Sequence, residues 1–137
     1  MEHTTIIVLS YEQLERLAHL AKDSLPNESC AFLLGRAETE VIVDEILQLN
    51  NADQSMISFS IEPLELLHAY QLAEKKKLQI VGIFHSHPSK PVPSIIDRKF
   101  MEINPVVWLI YSTIINQFRA YIYYYDEVRE VTLKLTE

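Results

Sequence analysis

Two histidines separated by one residue, with an aspartate ten residues after the second, are the side chains of this sequence best suited to chemistry. The histidines lie in His85-Ser86-His87-Pro88, and Asp97 follows Ser94 after a short loop. Two imidazoles and one carboxylate form the ligand set of catalytic zinc sites, which keep a fourth position open for water. Zinc strongly lowers the pKa of such a water. The pattern therefore predicts metal-assisted hydrolysis.

The two histidines end an apolar segment, Gln79 to Ser86, that is predicted to be a buried strand. Alternate side chains of a strand leave the same face of the sheet, so His85 and His87 are expected to project together. Ser86 is expected to point to the opposite face. The histidine pair can therefore bind a single ion.

A stiff loop and a helix start are predicted to bring the carboxylate to the histidines. The loop from Pro88 to Pro93 contains three prolines, each of which fixes its own φ angle. Ser94 is predicted to cap a helix that extends to Ile103, which places Asp97 in the first turn. A helix N-terminus favours an ionised carboxylate, and a metal ligand must be ionised.

Each of these features also has a purely structural interpretation. A histidine pair on a strand can simply be hydrogen-bonded within the fold, and Ser94 with Asp97 is a good helix-start signal without any metal. Their combination at a strand end and across one short loop is what favours the metal site. Cys30 could act as a nucleophile with a histidine base, but a cysteine within an apolar strand is more often a packed side chain.

Length and composition indicate one globular domain, which we predict to span residues 1–137. Of the 137 residues, 48% are hydrophobic and 23% are charged. The net charge is -7 and the basic residues are scattered apart from Lys75 to Lys77, so nucleic acid is not an expected partner. No apolar stretch approaches the roughly 20 residues that cross a bilayer, so no membrane association is expected. With a single cysteine and no signal-peptide pattern, we expect a cytoplasmic protein, and a homodimer is compatible with the sequence.

The remaining patterns predict a mixed α/β domain in which two or three helices cover a largely antiparallel sheet. The last two strands are predicted to form a hairpin. Alternating tyrosines on one face of this hairpin could form a recognition surface, or they could belong to a half-buried face of the sheet. Helix signals are Ser10, Gln13 and Pro26 for the first helix, and Ser60 or Glu62, Pro63 and Lys75 to Lys77 for the second. The predicted strands are Thr4 to Leu9, Cys30 to Leu34, Val41 to Leu49, Ile57 to Ile61, Gln79 to Ser86, Val106 to Tyr111, Phe118 to Tyr125 and Glu130 to Leu135. The alternating side chains are Val41, Val43, Leu47 and Leu49 on one strand face, and Tyr121, Tyr123 and Tyr125 on another.

The residues around the histidines resemble the signature of a known family. His85-Ser86-His87-Pro88, followed by Pro93-Ser94-Ile95-Ile96-Asp97, is similar to the motif of the JAMM/MPN+ zinc metalloproteases, the JAB-type isopeptidases. That family also has a glutamate at the start of a segment similar to Glu-x-Cys-Gly-x-Leu-x-Gly. Here the segment from Glu28 to Gly35 fits it. The resemblance extends from about Glu28 to Tyr111.

The resemblance implies the α+β fold of that family, which is similar to the cytidine-deaminase fold, and a zinc peptidase or isopeptidase activity. By position, His85, His87 and Asp97 would hold Zn2+. Glu28 would be the general acid/base and Ser94 would stabilise the oxyanion. The substrate would be the amide bond after the C-terminal, Gly-Gly-type tail of a ubiquitin-like or sulfur-carrier protein. The alternatives are a non-catalytic interaction scaffold of the same superfamily, or a zinc hydrolase acting on a small amide or linked to DNA metabolism.

Two positions depart from the family pattern. Six residues separate His87 from Ser94, one fewer than usual, and Ala31 replaces the glycine that usually follows Cys30. The spacing from Ser94 to Asp97 is intact, so the helix start is expected to shift as a unit. Ala31 would matter if the backbone there required a positive φ or a close approach. The chain resembles a minimal catalytic core of the family, without the insertions with which larger members grip ubiquitin.

Overall fold

Seven strands form a closed barrel in the computed structural model, which describes residues 5–50 and 62–137. Within these residues the strands are β1 (Ile6–Ser10), β2 (Cys30–Ala37), β3 (Val41–Leu49), β4 (Gln79–His87), β5 (Val107–Ser112), β6 (Gln117–Tyr124) and β7 (Glu127–Thr136). The helices are α1 (Tyr11–Ser24), α2 (Pro63–Lys75) and α3 (Ile95–Ile103). The predicted strand at Ile57 to Ile61 and the predicted cap Ser60 lie outside the described residues. Within the described ranges, every helix is too short or too polar to cross a membrane.

The strand order around the barrel is β1-β3-β2-β4-β5-β6-β7, and β7 pairs again with β1. Four pairings are antiparallel, namely β2 with β3, β2 with β4, β5 with β6, and β6 with β7. Three are parallel, namely β1 with β3, β1 with β7, and β4 with β5. The predicted mixed and mainly antiparallel sheet with three helices is therefore confirmed.

Two clusters of buried apolar side chains lie against the strands. One includes Leu17 and Ala21 of α1, and the other includes Ala69 and Ala73 of α2 together with Met101 of α3. The helices therefore pack on two different parts of the core. Strand β4, which carries the histidines, contributes side chains to both clusters.

The predicted start of α1 is confirmed by a complete capping box. Ser10 Oγ accepts a hydrogen bond from Gln13 N at 3.1 Å, and Gln13 Oε1 accepts one from Ser10 N at 2.9 Å. The helix ends before Pro26, as predicted. Helix α2 begins at Pro63 with Glu62 as its N-cap residue, but the Glu62 side chain makes no capping hydrogen bond.

A β-bulge corrects the predicted faces of β3. The register of β3 against β2 shifts between Leu34 and Gly35. Val43 consequently packs in the cluster beside α1, whereas Leu47 and Leu49 contact the cluster beside α2 and α3. The predicted common face of these three side chains is wrong, because one extra residue in a strand reverses the alternation beyond it.

The last hairpin turns earlier than predicted. The turn consists of Tyr125 and Asp126, both with positive φ, at 48° and 60°. Positive φ at both central residues gives the type I′ turn that suits a two-residue hairpin. Tyr125 therefore lies in the turn and does not belong to the strand face predicted for the three tyrosines.

Gly35 marks a close approach between β2 and β3. A Cβ atom at this position would overlap the carbonyl oxygen of Ile42. The φ angle of Gly35 is not positive, so the requirement here is for space and not for a left-handed backbone.

We expect Gly35→Ala to lower the free energy of unfolding by about 3 kcal/mol, because the two strands must move apart to admit a methyl group. Unfolding in guanidinium chloride would measure this change. Ala37→Ser, at an exposed position of the same strand, should change the free energy by less than about 0.5 kcal/mol. Equal values for the two variants would contradict the close approach.

Candidate metal centre

The end of β4, the segment before β2 and the first turn of α3 bring four ionisable side chains together. They are Glu28, His85, His87 and Asp97, and each is at most 4% exposed. All four belong to the site residues predicted from the sequence. Buried ionisable groups in such numbers require mutual pairing or a bound cation.

Asp97 contacts both histidines. Its Oδ1 lies 3.3 Å from His85 Nε2, and its Oδ2 lies 3.0 Å from His87 Nε2. Glu28 approaches the same ring, with Oε1 2.9 Å from His85 Nε2. The two imidazole rings are perpendicular, with centroids 4.5 Å apart. Both rings therefore direct the same nitrogen toward carboxylate oxygens.

A capping box at the start of α3 fixes Asp97. Ser94 Oγ accepts a hydrogen bond from Asp97 N at 3.0 Å, and Ser94 N donates to Asp97 Oδ2 at 2.9 Å. Burial alone would raise the pKa of Asp97, but the hydrogen bonds from His85, His87 and the Ser94 N–H hold it well below its usual range. The carboxylate is therefore ionised, and the shorter loop leaves the Ser94 and Asp97 arrangement intact.

The loop between β4 and α3 orients the ring of His87. His87 Nδ1 lies 3.2 Å from the carbonyl oxygen of Lys90. A carbonyl can only accept, so Nδ1 carries a hydrogen and Nε2 is the nitrogen that faces Asp97. Thr113 N donates to the carbonyl oxygen of His87 at 3.0 Å, which fixes the backbone at the strand end.

A pair of buried serines joins the segment of Glu28 to the histidine strand. Ser86 Oγ accepts a hydrogen bond from Ser29 N at 2.8 Å, and the two hydroxyl oxygens are 2.8 Å apart. Ser86 N donates in return to the carbonyl oxygen of Ser29 at 3.1 Å. Sequence reasoning placed Ser86 on the opposite face from the histidines and assigned neither serine a role. The available signal was a small polar residue inside an apolar strand, which requires a buried hydrogen-bond partner.

The residues that follow Glu28 pack without strain. Ala31 is fully buried in β2, pairs with Phe84 of β4 and has no positive φ. A glycine-specific backbone conformation is therefore not required there. Cys30 is also fully buried, and burial raises the pKa of its thiol to about 12. The thiol stays protonated, which supports the packing interpretation over the nucleophile.

The donor set fits a divalent transition metal. Ligand atoms of Glu28, His85 and His87 all lie within 4.8 Å of one another, and Asp97 contacts both imidazoles. Imidazole nitrogen and carboxylate oxygen are ligands that zinc accepts. Burial alone would lower the pKa of His85, but Asp97 and Glu28 raise it to about 9. A cation at this position would therefore replace a proton that the two carboxylates already attract.

Comparisons with known proteins agree with this fold. A family model described as prokaryotic homologs of the JAB domain matches residues 11–122, and the chain belongs to this family. The solution structure of protein DSY2949 from Desulfitobacterium hafniense is similar over 97% of this chain and 94% of that chain, with a TM-score of 0.84 and 32% identity. The crystal structure of AF2198, a JAB1/MPN domain protein from Archaeoglobus fulgidus, shares the fold with a TM-score of 0.64 at 19% identity, and covers 99% of this chain and 100% of that one. The family resemblance seen in the sequence is confirmed.

Two further relatives match part of the chain. A desampylase from Pyrococcus furiosus is 40% identical over 84 residues, which are 61% of this chain and 58% of that protein. A probable TtuB-protein conjugate cleaving protease from Thermus thermophilus is 34% identical over 87 residues, which are 62% of this chain and 55% of that protein. The matches thus span less than two thirds of either relative.

Ser86→Ala should lower the free energy of unfolding by about 1 to 3 kcal/mol, because the buried Ser29 N–H and hydroxyl lose their partner. Ser89→Ala, at an exposed serine in the adjoining loop, is the matched control and should change it by less than about 0.5 kcal/mol. Denaturant unfolding would measure both variants. A Ser86→Ala protein as stable as the control would show that the pair does not tie the two segments together.

The metal-free protein should lose stability as the pH rises from about 6.5 to about 9. The pKa of His85 is raised from 6.5 to about 9 in the folded state, so folding binds this proton more tightly. The stabilisation is fully present below the unfolded pKa and disappears as the pH passes the folded pKa. Denaturant unfolding with a chelator present, across this range, is the measurement.

His85→Gln should remove most of this pH dependence. His19→Gln, at an exposed position of α1, should leave it unchanged. Identical pH profiles for the wild type and His85→Gln would show that the carboxylates do not hold the proton.

Proposed function

We propose that this chain is a zinc-dependent isopeptidase or peptidase that hydrolyses the amide bond after the C-terminal tail of a ubiquitin-like or sulfur-carrier protein. The observation that carries the proposal is the contact of Asp97 with Nε2 of both His85 and His87, beside the buried carboxylate of Glu28. Membership of the JAB family supports the reaction type. The relatives named as a desampylase and as a TtuB-protein conjugate cleaving protease support the substrate class.

We assign His85, His87 and Asp97 as the zinc ligands. Asp97 contacts both imidazoles and is held ionised at a helix start, and the carboxylate of Glu28 lies 2.9 Å from His85 Nε2. As the family resemblance implies, we assign Glu28 to proton transfer and not to the metal. Bound zinc would supply Lewis acidity toward the scissile carbonyl and toward a water molecule.

Glu28 would carry the proton during hydrolysis. Its carboxylate is 4% exposed and lies beside the imidazole of His85. Few water molecules can therefore reach this carboxylate and exchange protons with it. In the reaction, a water oxygen bonds to the carbonyl carbon and its proton passes to Glu28. The carbon–nitrogen bond then breaks, and Glu28 returns the proton to the departing amine.

Ser94 would stabilise the oxyanion at the start of α3. The capping bond from Asp97 N uses an acceptor lone pair of the Ser94 hydroxyl. The hydroxyl hydrogen is not used in that bond, and it can donate to an oxygen that gains negative charge. Ser94 is only partly buried, so it can reach a substrate that Asp97 cannot.

We propose that this chain forms one catalytic domain, which acts in the cytoplasm on a protein substrate. Its net charge of -7 favours a protein partner over nucleic acid. A non-catalytic scaffold is the alternative from a different functional class. The buried cluster of all four ionisable side chains favours the enzyme, because a scaffold has no use for groups that are costly to bury.

The zinc-loaded protein should cleave fusions that carry a Gly-Gly-tailed ubiquitin-like protein, presented with linear and with isopeptide bonds. Glu28→Gln should lower kcat by about 10²- to 10⁴-fold while stoichiometric zinc is retained. His87→Ala should lose both zinc and activity, whereas His68→Ala, at an exposed histidine of α2, should keep both. Metal analysis and a cleavage assay give the readouts. Full activity of Glu28→Gln would remove Glu28 from the mechanism, and a wild type without stoichiometric zinc would favour the scaffold.

A further inference from the structure

We propose that Tyr121 is a positioning residue for the metal centre and acts through the loop between β4 and α3. The inference rests on the proposed zinc site and concerns the orientation of His87 within it. Tyr121 lies on β6, and its hydrogen-bond partner in the loop, Pro91, comes 30 residues earlier in the sequence. Its effect on the centre is therefore indirect, and no contact with substrate is implied.

The first link joins Tyr121 to the loop. The Tyr121 hydroxyl donates to the carbonyl oxygen of Pro91 at 2.9 Å. Tyr121 is 7% exposed and packs in the cluster beside α2 and α3, where it is paired with Trp108 of β5. Because the ring is held by its neighbours, the hydroxyl is a fixed anchor for the buried Pro91.

The second link joins Pro91 to the preceding carbonyl group. The proline ring fixes φ at Pro91, so holding its carbonyl oxygen also limits the rotation of the Lys90 peptide plane. The carbonyl oxygen of Lys90 accepts from Val92 N at 2.9 Å and lies 3.2 Å from His87 Nδ1. The anchor at Pro91 therefore determines where the acceptor for the His87 ring is placed.

The third link is the tautomer of His87. With Nδ1–H donating to Lys90, Nε2 is the nitrogen left for a metal, and the ion takes the place of the hydrogen that Nε2 directs at Asp97 Oδ2, 3.0 Å away. Without the anchor, the loop can turn its carbonyl away and the ring can present either nitrogen. The placement of the Lys90 carbonyl matters here because the loop is one residue shorter than is usual in the family. Its backbone must connect His87 and Ser94 with six residues.

Tyr123 provides a matched comparison on the same strand. Its hydroxyl donates to Glu102 Oε1 on α3 at 2.8 Å, so Tyr123→Phe also removes one tyrosine hydrogen bond. That bond leads to an exposed side chain of α3 and not to the loop. Lys90→Ala is a second control, because it removes an exposed side chain but keeps the backbone carbonyl.

The test is the zinc dissociation constant of the full chain, measured by competition with a chelating dye. Tyr121→Phe should raise it by about 10-fold, the lower end of what loss of an outer hydrogen-bond partner causes at metal sites. Tyr123→Phe and Lys90→Ala should stay within about twofold of the wild type. Equal zinc affinities for Tyr121→Phe and Tyr123→Phe would overturn the inference.

Nitrogen NMR of the zinc-loaded wild type tests the tautomer of His87 on which the inference depends, and this part of the test needs no variant. His87 should show a proton on Nδ1 and a metal-bound Nε2, and Tyr121→Phe should make that proton exchange faster with water. Metal binding through Nδ1 would overturn the inference even if Tyr121→Phe fails to fold. The wild type could bind zinc through Nε2 and Tyr121→Phe could bind it more weakly, while no conjugate is cleaved. That result would support the inference and rule out the proposed substrate. A wild type that binds no zinc would overturn both proposals.

Discussion

The buried carboxylate of Asp97, held between two imidazoles, is the interaction on which the rest of the site depends. At 3% exposure, an ionised carboxylate is costly unless several donors replace its water. His85, His87 and the Ser94 N–H supply those donors. Their convergence requires the end of β4, the proline-containing loop and the first turn of α3 to keep fixed positions. The barrel and its two clusters provide that rigidity.

The register of the sheet brings the second carboxylate to the same place. Cys30 of β2 pairs with His85 of β4, and β5 pairs with β4 on its other side through Ile110. Glu28 therefore lies two residues before the start of β2, and the first residue of β2 is paired with His85. A shift of one residue between β2 and β4 would turn the alternating side chains to the other face. The serine pair, Ser29 and Ser86, adds buried hydrogen bonds that oppose such a shift.

The sequence revealed the parts of the site that depend on short-range patterns. The capping box of Ser94 and Asp97, and the alternation of the histidines, involve residues a few positions apart, and such signals follow from local geometry. Glu28 could be found only by resemblance to a family, because a lone acid in a loop carries no pattern of its own. The bond between Ser29 and Ser86 spans 57 positions, and the one between Tyr121 and Pro91 spans 30. Contacts between residues so far apart in the sequence, like the bulge in β3, arise from tertiary pairing. The periodicity of hydrophobic residues does not encode such pairing.

The most direct test of the account is the position of zinc in crystals of the zinc-loaded protein, located by anomalous scattering at the zinc absorption edge. The account predicts one ion bound by Nε2 of His85, Nε2 of His87 and a carboxylate oxygen of Asp97, at about 2.0 to 2.2 Å from each. Glu28 should lie beside the ion without binding it. An ion at another place, or one bound by Glu28 in place of Asp97, would contradict the account.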